Sequence, residues 1–160
     1  MIRLALAVAL IGAPAGAQDL VFSPAATETC LAAGRSDCIG ASGEACMQAT
    51  PGGQSTVGMG GCLDRELSYW DARLNSAYGS AMRQAKQADQ ANSDGALAVL
   101  SQAQALREMQ RAWIPFRDAK CDFARSQWGG GTGGGPAQLS CLMQETGQQA
   151  LYLEGAGMGG

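Results

Sequence analysis

The sequence predicts an all-α fold: an antiparallel hairpin of two long helices with a third helix packed on it, stapled by disulfides. Three observations predict it. Apolar residues recur at spacings of three and four from residue 63 onwards, and six cysteines stand among 160 residues. No apolar–polar alternation runs long enough to make a strand.

The elements follow in order. Residues 18–56 form a cysteine-rich lead-in with two short helices, over 24–33 after Ser23-Pro24 and over 42–49 before Pro51-Gly52-Gly53. Leu63, Leu67, Trp70, Leu74, Ala77, Tyr78 and Ala81 then share one face of a long helix running from 58 to 90. A second long helix over 96–127 carries Leu97, Leu100, Leu106, Met109, Trp113, Phe116 and Phe123 as its stripe. Pro115 lies inside it, cannot donate to the Arg111 carbonyl, and predicts a kink over 111–115. Six glycines within Gly129–Gly135 make a turn, because glycine loses too much backbone entropy in a helix. A third helix over 137–154 buries Leu139, Leu142, Met143, Thr146, Ala150 and Leu153. The helical domain therefore spans 57–154, and 155–160 reads as a disordered glycine tail.

Residues 1–17 read as a secretory signal. Arg3 precedes an apolar run from Leu4 to Ile11, and Ala15-Gly16-Ala17 makes a small-x-small cleavage site. The apolar run is too short to span a bilayer, and no cysteine follows the cleavage site as a lipid anchor would need. The mature chain is then expected to start at Gln18, soluble and exported, periplasmic or extracellular. An oxidising compartment turns Cys30, Cys38, Cys46, Cys62, Cys121 and Cys141 into three disulfides. A Cys121–Cys141 bridge would fix the angle between helices two and three, closing a loop of about 20 residues for about 3 kcal/mol. The other four cysteines allow three connectivities, among which Cys30–Cys62 with Cys38–Cys46 is the expected one.

Composition excludes several chemistries. The chain has no histidine, so it lacks the usual neutral-pH general base and the commonest metal ligand. The cysteine spacings contain neither the close pairs of zinc sites nor the C-x-x-C of thiol redox enzymes, so no metal and no cofactor is expected. Ser101 and Ser140 have no histidine with which to form a triad. Without the leader, ten basic residues face fourteen acidic ones, a net charge of −4. That balance disfavours nucleic acid and suits a basic protein partner, although a charge of this size is also ordinary for solubility.

Two segments carry a family resemblance. One is Cys62-Leu63-Asp64-Arg65-Glu66 followed by Trp70-Asp71-Ala72-Arg73-Leu74-Asn75-Ser76-Ala77-Tyr78. The other is Gln110-Arg111-Ala112-Trp113-Ile114-Pro115-Phe116-Arg117-Asp118-Ala119-Lys120-Cys121, then the glycine turn, Cys141-Leu142 and Thr146. Over residues 57–153 the chain resembles the lysozyme-inhibitor LprI N-terminal-like family of exported bacterial proteins. The resemblance implies a small helical domain without enzymatic activity, with lysozyme as a partner. An assembly or structural factor of the bacterial envelope is the alternative. The chain departs from the pattern in its Cys38 and Cys46 pair, in Pro115 and in its glycine-rich turn.

The polar motif residues read as structural. Glu66 and Asp71 are about 140° apart around a helix, so they do not pair as acid and base. A helix-one carboxylate meeting Arg117 across the seam, beside Asp118, with Asn75 satisfying nearby donors, is the expected arrangement. Trp70, Leu74, Tyr78, Gln110 and Trp113 belong to the same seam or to the core. Trp128 stands at the edge of the glycine loop. With Gly130, Gly131, Thr132 and Gly133 it is the candidate partner contact, against the alternative that it folds back over Cys121.

Overall fold

The computed structural model describes residues 19–92 and 100–156. The signal sequence and the segment bearing Leu97 lie outside these residues, as do the last four of the predicted tail. Among the described residues there are five helices and no strand: α1 (Ala25–Ala32), α2 (Ala41–Ala49), α3 (Thr56–Ala91), α4 (Gln102–Ser126) and α5 (Gly134–Ala156).

α3, α4 and α5 form an up–down–up bundle. α5 runs parallel to α3 and antiparallel to α4, and its contact with α3 is the most extensive in the molecule. The core between them holds Leu63, Trp70, Leu74 and Ala77 of α3 with Met143, Ala150 and Leu153 of α5. These are the residues that helical periodicity places on one face. Tyr69 meets Trp70 edge-on at 5.3 Å, and Arg73 reaches over the Trp70 ring to a bidentate pair with Glu154, at 2.6 and 3.0 Å. That pair ties the middle of α3 to the last turn of α5.

Helix starts are set by local chemistry. The Ser55 hydroxyl accepts from the Gly58 amide and caps α3. The Ser101 hydroxyl accepts from Gln104 to cap α4, while Asp89 near the end of α3 accepts from Ser101, Gln102 and Ala103. The same end of the bundle thus shares one carboxylate across two helices, close to the helix N-terminus where negative charge is favoured.

Several expectations are revised. The lead-in disulfides are Cys30–Cys38 and Cys46–Cys62, not Cys30–Cys62 and Cys38–Cys46; the third is Cys121–Cys141 as expected. The physical reason lies in α2. It presents Cys46 to Cys62 on α3, while the turn after α1 brings Cys38 back onto Cys30. α4 begins at Gln102 rather than at 96 and, as expected of the second long helix, carries Pro115 inside it. Phe116, Phe123 and Leu100 are exposed rather than part of a buried stripe. Arg117 occupies the inward position one residue after Phe116, its guanidinium 5.0 Å over the Trp113 ring. α5 starts three residues early, taking Gly134 and Gly135 into its first turn, and it continues through Gly155 and Ala156.

Candidate functional site

Three polar features are candidates for function, and they differ in burial. The first is a clasp around Glu66, whose side chain is 0% exposed. Its Oε1 accepts from the Thr27 hydroxyl at 2.8 Å, the Gly40 amide at 2.8 Å and the Trp70 indole at 3.1 Å. Its Oε2 accepts from the Gly43 amide at 2.5 Å. Thr27 and Ser42 complete the clasp reciprocally: each hydroxyl accepts from the other residue's amide, at 3.1 and 3.0 Å. The N-terminal turns of α1 and α2 therefore converge on one carboxylate, which accepts the Gly40 and Gly43 amides at the start of α2 directly and reaches α1 through the Thr27 hydroxyl. Gly40, at φ +104, makes the turn that aims its amide there. With every oxygen engaged and no solvent access, the clasp is structural.

The expected contact between a helix-one carboxylate and Arg117 is not formed. Glu66 turns to the lead-in, whereas Arg117 donates to Asp118 at 2.8 and 2.9 Å and reaches the Thr146 hydroxyl at 3.4 Å. Asn75 donates to Asp71 at 3.1 Å, one turn away on the exposed face of α3.

The second feature is an open furrow along the α3–α4 seam. Toward its α3 N-terminal end Asp64, Asp71 and Asn75 face Arg117 over Leu67 and Leu142. Further along, Asn75 and Tyr78 face Arg107, Gln110, Arg111 and Ile114. Gln110 also accepts from Gln149 at 2.8 Å, locking α4 to α5 beneath the furrow. Asp71, Asn75, Tyr78, Gln110 and Arg117 are thus brought together on one surface, while Glu66, Trp70 and Leu74 are buried away from it. Sequence reasoning missed Asp64, Arg107 and Arg111 as members of this surface. Their helical spacing from Asp71 and Gln110 was the available signal. It also missed Thr27, Ser42, Gly40 and Gly43, for which no local pattern exists.

The third feature is the loop between α4 and α5, clipped at its base by Cys121–Cys141. It is tightly turned: the Trp128 amide donates to Arg125, Gly131 to Trp128, and Gly134 to Gly131. Trp128 remains 55% exposed, and one side of its ring lies against Gly133, where any Cβ would overlap it. The ring packs on the loop itself, at Gly133. Gly130, Gly131 and Thr132 are exposed at the tip.

No metal centre is formed by the one close group of ligand atoms among the described residues. Cys30, Asp37 and Cys38 lie together, but both sulfurs are joined in a disulfide. No helix of the described residues is long and apolar enough to cross a membrane.

These features define a class: a disulfide-clipped three-helix bundle with a lead-in clasped onto its first helix. The chain belongs to the lysozyme inhibitor LprI family, whose family model matches residues 46–153. α1 and the Cys30–Cys38 bridge precede that match. Among curated relatives, the chain is 27% identical over 126 residues to an uncharacterized 17.7 kDa protein from the puhA 5′ region of Rhodobacter capsulatus. That alignment covers 76% of this chain and 75% of the relative. An uncharacterized protein of Rhizobium meliloti is 29% identical over 93 residues, covering 58% of this chain and 67% of the relative. The uncharacterized protein YecT of Escherichia coli is 31% identical over 107 residues, covering 58% of this chain and 59% of the relative. No solved structure matches the chain significantly.

Proposed function

We propose that this protein is an exported, non-enzymatic binding protein that blocks a lysozyme through the Trp128 loop. Family membership supports the partner class. The observation that carries the contact is Trp128 itself, a large aromatic half-exposed at the end of a bundle and seated on a loop clipped by a disulfide. A preset aromatic loses little freedom on docking and is the kind of residue that dominates interface energetics. Three disulfides support export to an oxidising compartment, since such bridges are rare where thiols are kept reduced. The buried state of Glu66, together with the absence of histidine from the chain, supports a role without acid–base catalysis.

The charge supports a basic partner. Residues 19–74 carry seven acidic and three basic side chains, whereas residues 75–154 carry seven of each. The lead-in half of the molecule therefore holds the net negative charge, which would steer a basic lysozyme in a salt-dependent way.

The test is lysozyme-driven lysis of a cell-wall substrate with the oxidised mature protein, alongside direct binding at low and high salt. Stoichiometric inhibition that weakens with salt and falls on Trp128→Ala is the expected result. No binding at micromolar protein discards the lysozyme reading. Inhibition indifferent to Trp128→Ala moves the contact elsewhere. An envelope assembly factor is the second reading, favoured by Phe116 and Phe123, seven residues apart on one side of α4 and 61% and 65% exposed.

A further inference from the structure

The α3–α4 furrow separates charge along its length, and most of that charge is unpaired within the molecule. At one end Asp64 makes no hydrogen bond or ion pair among the described residues, and Asp71 receives only the Asn75 amide. Arg117, the cation at that end, is already paired with Asp118. At the other end Arg107 and Arg111 stand one turn apart on α4, facing Asn75 and Tyr78, with no anionic partner among the described residues. Like charges at i and i+4 disfavour a helix, so this pair works against α4 unless something of opposite sign meets it. The two ends are offset by roughly seven residues along both helices, which is about 10 Å at the helical rise.

We propose that this furrow seats an extended polypeptide segment of a partner protein. Its basic side chain lies at Asp64 and Asp71, and its acidic side chain lies at Arg107 and Arg111. Charge complementarity selects this occupant. A polyanion such as nucleic acid would meet Asp64 and Asp71 with repulsion, and a neutral glycan would leave both charged ends unmet. Three residues of polyproline II chain rise about 9 Å and complete one turn, so side chains three apart face the furrow together and the segment reads basic-x-x-acidic. Asn75, shared by both ends, faces the segment's middle and offers it an amide. Leu67 and Ile114 supply apolar contact beside the charges. This surface is separate from the Trp128 loop, and its occupant need not be part of a lysozyme.

The test uses the full oxidised chain and blocked tetrapeptides, followed by nuclear magnetic resonance. Acetyl-Lys-Ala-Ala-Glu-amide is the probe, and acetyl-Gln-Ala-Ala-Gln-amide is the neutral control. The charged peptide should shift the Asn75 side-chain amide and the Arg107 and Arg111 guanidinium signals in a saturable way, and the neutral peptide should not. Asp71→Lys and Arg111→Glu, both at exposed positions that leave the core untouched, should each weaken the charged peptide about tenfold or more. Equal shifts from the two peptides, no saturable shift, or undiminished binding by both variants would each overturn the proposal. Lysozyme titrated on Arg111→Glu separates the two readings, because a lysozyme held by Trp128 and steered by negative charge binds that variant at least as well as the wild type.

Discussion

The Gly43 amide donates to the Glu66 carboxylate at 2.5 Å, and a side chain at Gly43 would bring its Cβ within 3.2 Å of the same oxygen. A helix-start glycine and a buried acid are therefore fitted to each other across α2 and α3. Glu66→Gln keeps one acceptor oxygen and turns its carboxamide NH2 toward a donor, at best the Gly43 amide. Leaving that donor unmet in a dry site is expected to cost about 3 kcal/mol. The check is the urea midpoint of the oxidised protein, with m unchanged. A shift corresponding to less than about 1 kcal/mol would mean that the clasp contributes only an ordinary hydrogen bond.

Asp89 gives the fold a dependence on acid. The Ser101 hydroxyl, then the Ala103 and Gln102 amides, hold its carboxyl below the ordinary value of 3.8. A group with a depressed folded value adds stability that is complete above its unfolded value and is lost as pH falls through the folded one. Wild type should thus exceed Asp89→Asn in stability at neutral pH, and the gap should close below about pH 4. Paired denaturation curves from pH 7 down to pH 2.5 read the gap directly. A gap that stays constant would place the effect of the substitution outside ionisation.

The disulfides should differ in weight. Cys121–Cys141 spans 20 residues, Cys46–Cys62 spans 16 and Cys30–Cys38 spans 8. On the chain-entropy account these close loops worth about 3.3, 3.1 and 2.5 kcal/mol respectively. Paired Cys→Ser variants should follow that order in melting temperature if unfolded-chain entropy dominates. A larger loss at Cys46–Cys62 than at Cys121–Cys141 would show that anchoring the lead-in beside Glu66 adds native-state order. Peptide mapping of the oxidised protein should recover the three pairs and no Cys30–Cys62 species.

Gly133→Ala tests the seat of Trp128. A methyl there overlaps the ring, so the indole must swing off the loop. Trp70 is buried and should keep its emission. The expected result is a red shift and stronger iodide quenching from the Trp128 component, with global stability lowered by about 1 kcal/mol or less. Unchanged emission would show that the loop backbone yields instead.

The helices were legible where one periodicity ran long. Leu63, Trp70, Leu74 and Ala77 are buried as their spacing demands, and so are Met143, Ala150 and Leu153. α4 was harder to read because a cation takes a core-facing place. Trp113 and Arg117 stack on the inner side, so the apolar Phe116 is turned outward. Glycine content misled at α5, where Gly134 is close to the Arg125 carbonyl and packs with the helix rather than ending it. The lead-in was least legible. Its turn before α2 is held by Ile39 lying against Gly147 and by Gln144 donating to the Ile39 carbonyl, contacts more than 100 residues apart in the chain. The furrow was half legible: its motif residues were recognised as a seam, but the opposed charges of Asp64 and Arg111 emerge only once α3 and α4 lie side by side.

Every disulfide joins a cysteine to the next one in the chain: first to second, third to fourth, fifth to sixth. For a chain threaded N-terminus first through an export channel, this ordering matters. A thiol oxidase that links each newly emerged cysteine to the one still free before it makes the complete native set. No earlier bond has to be broken, so slow reshuffling is not required. Maturation on the far side of a membrane can then keep pace with translocation, and each finished bridge shields its sulfurs from the next thiol to arrive.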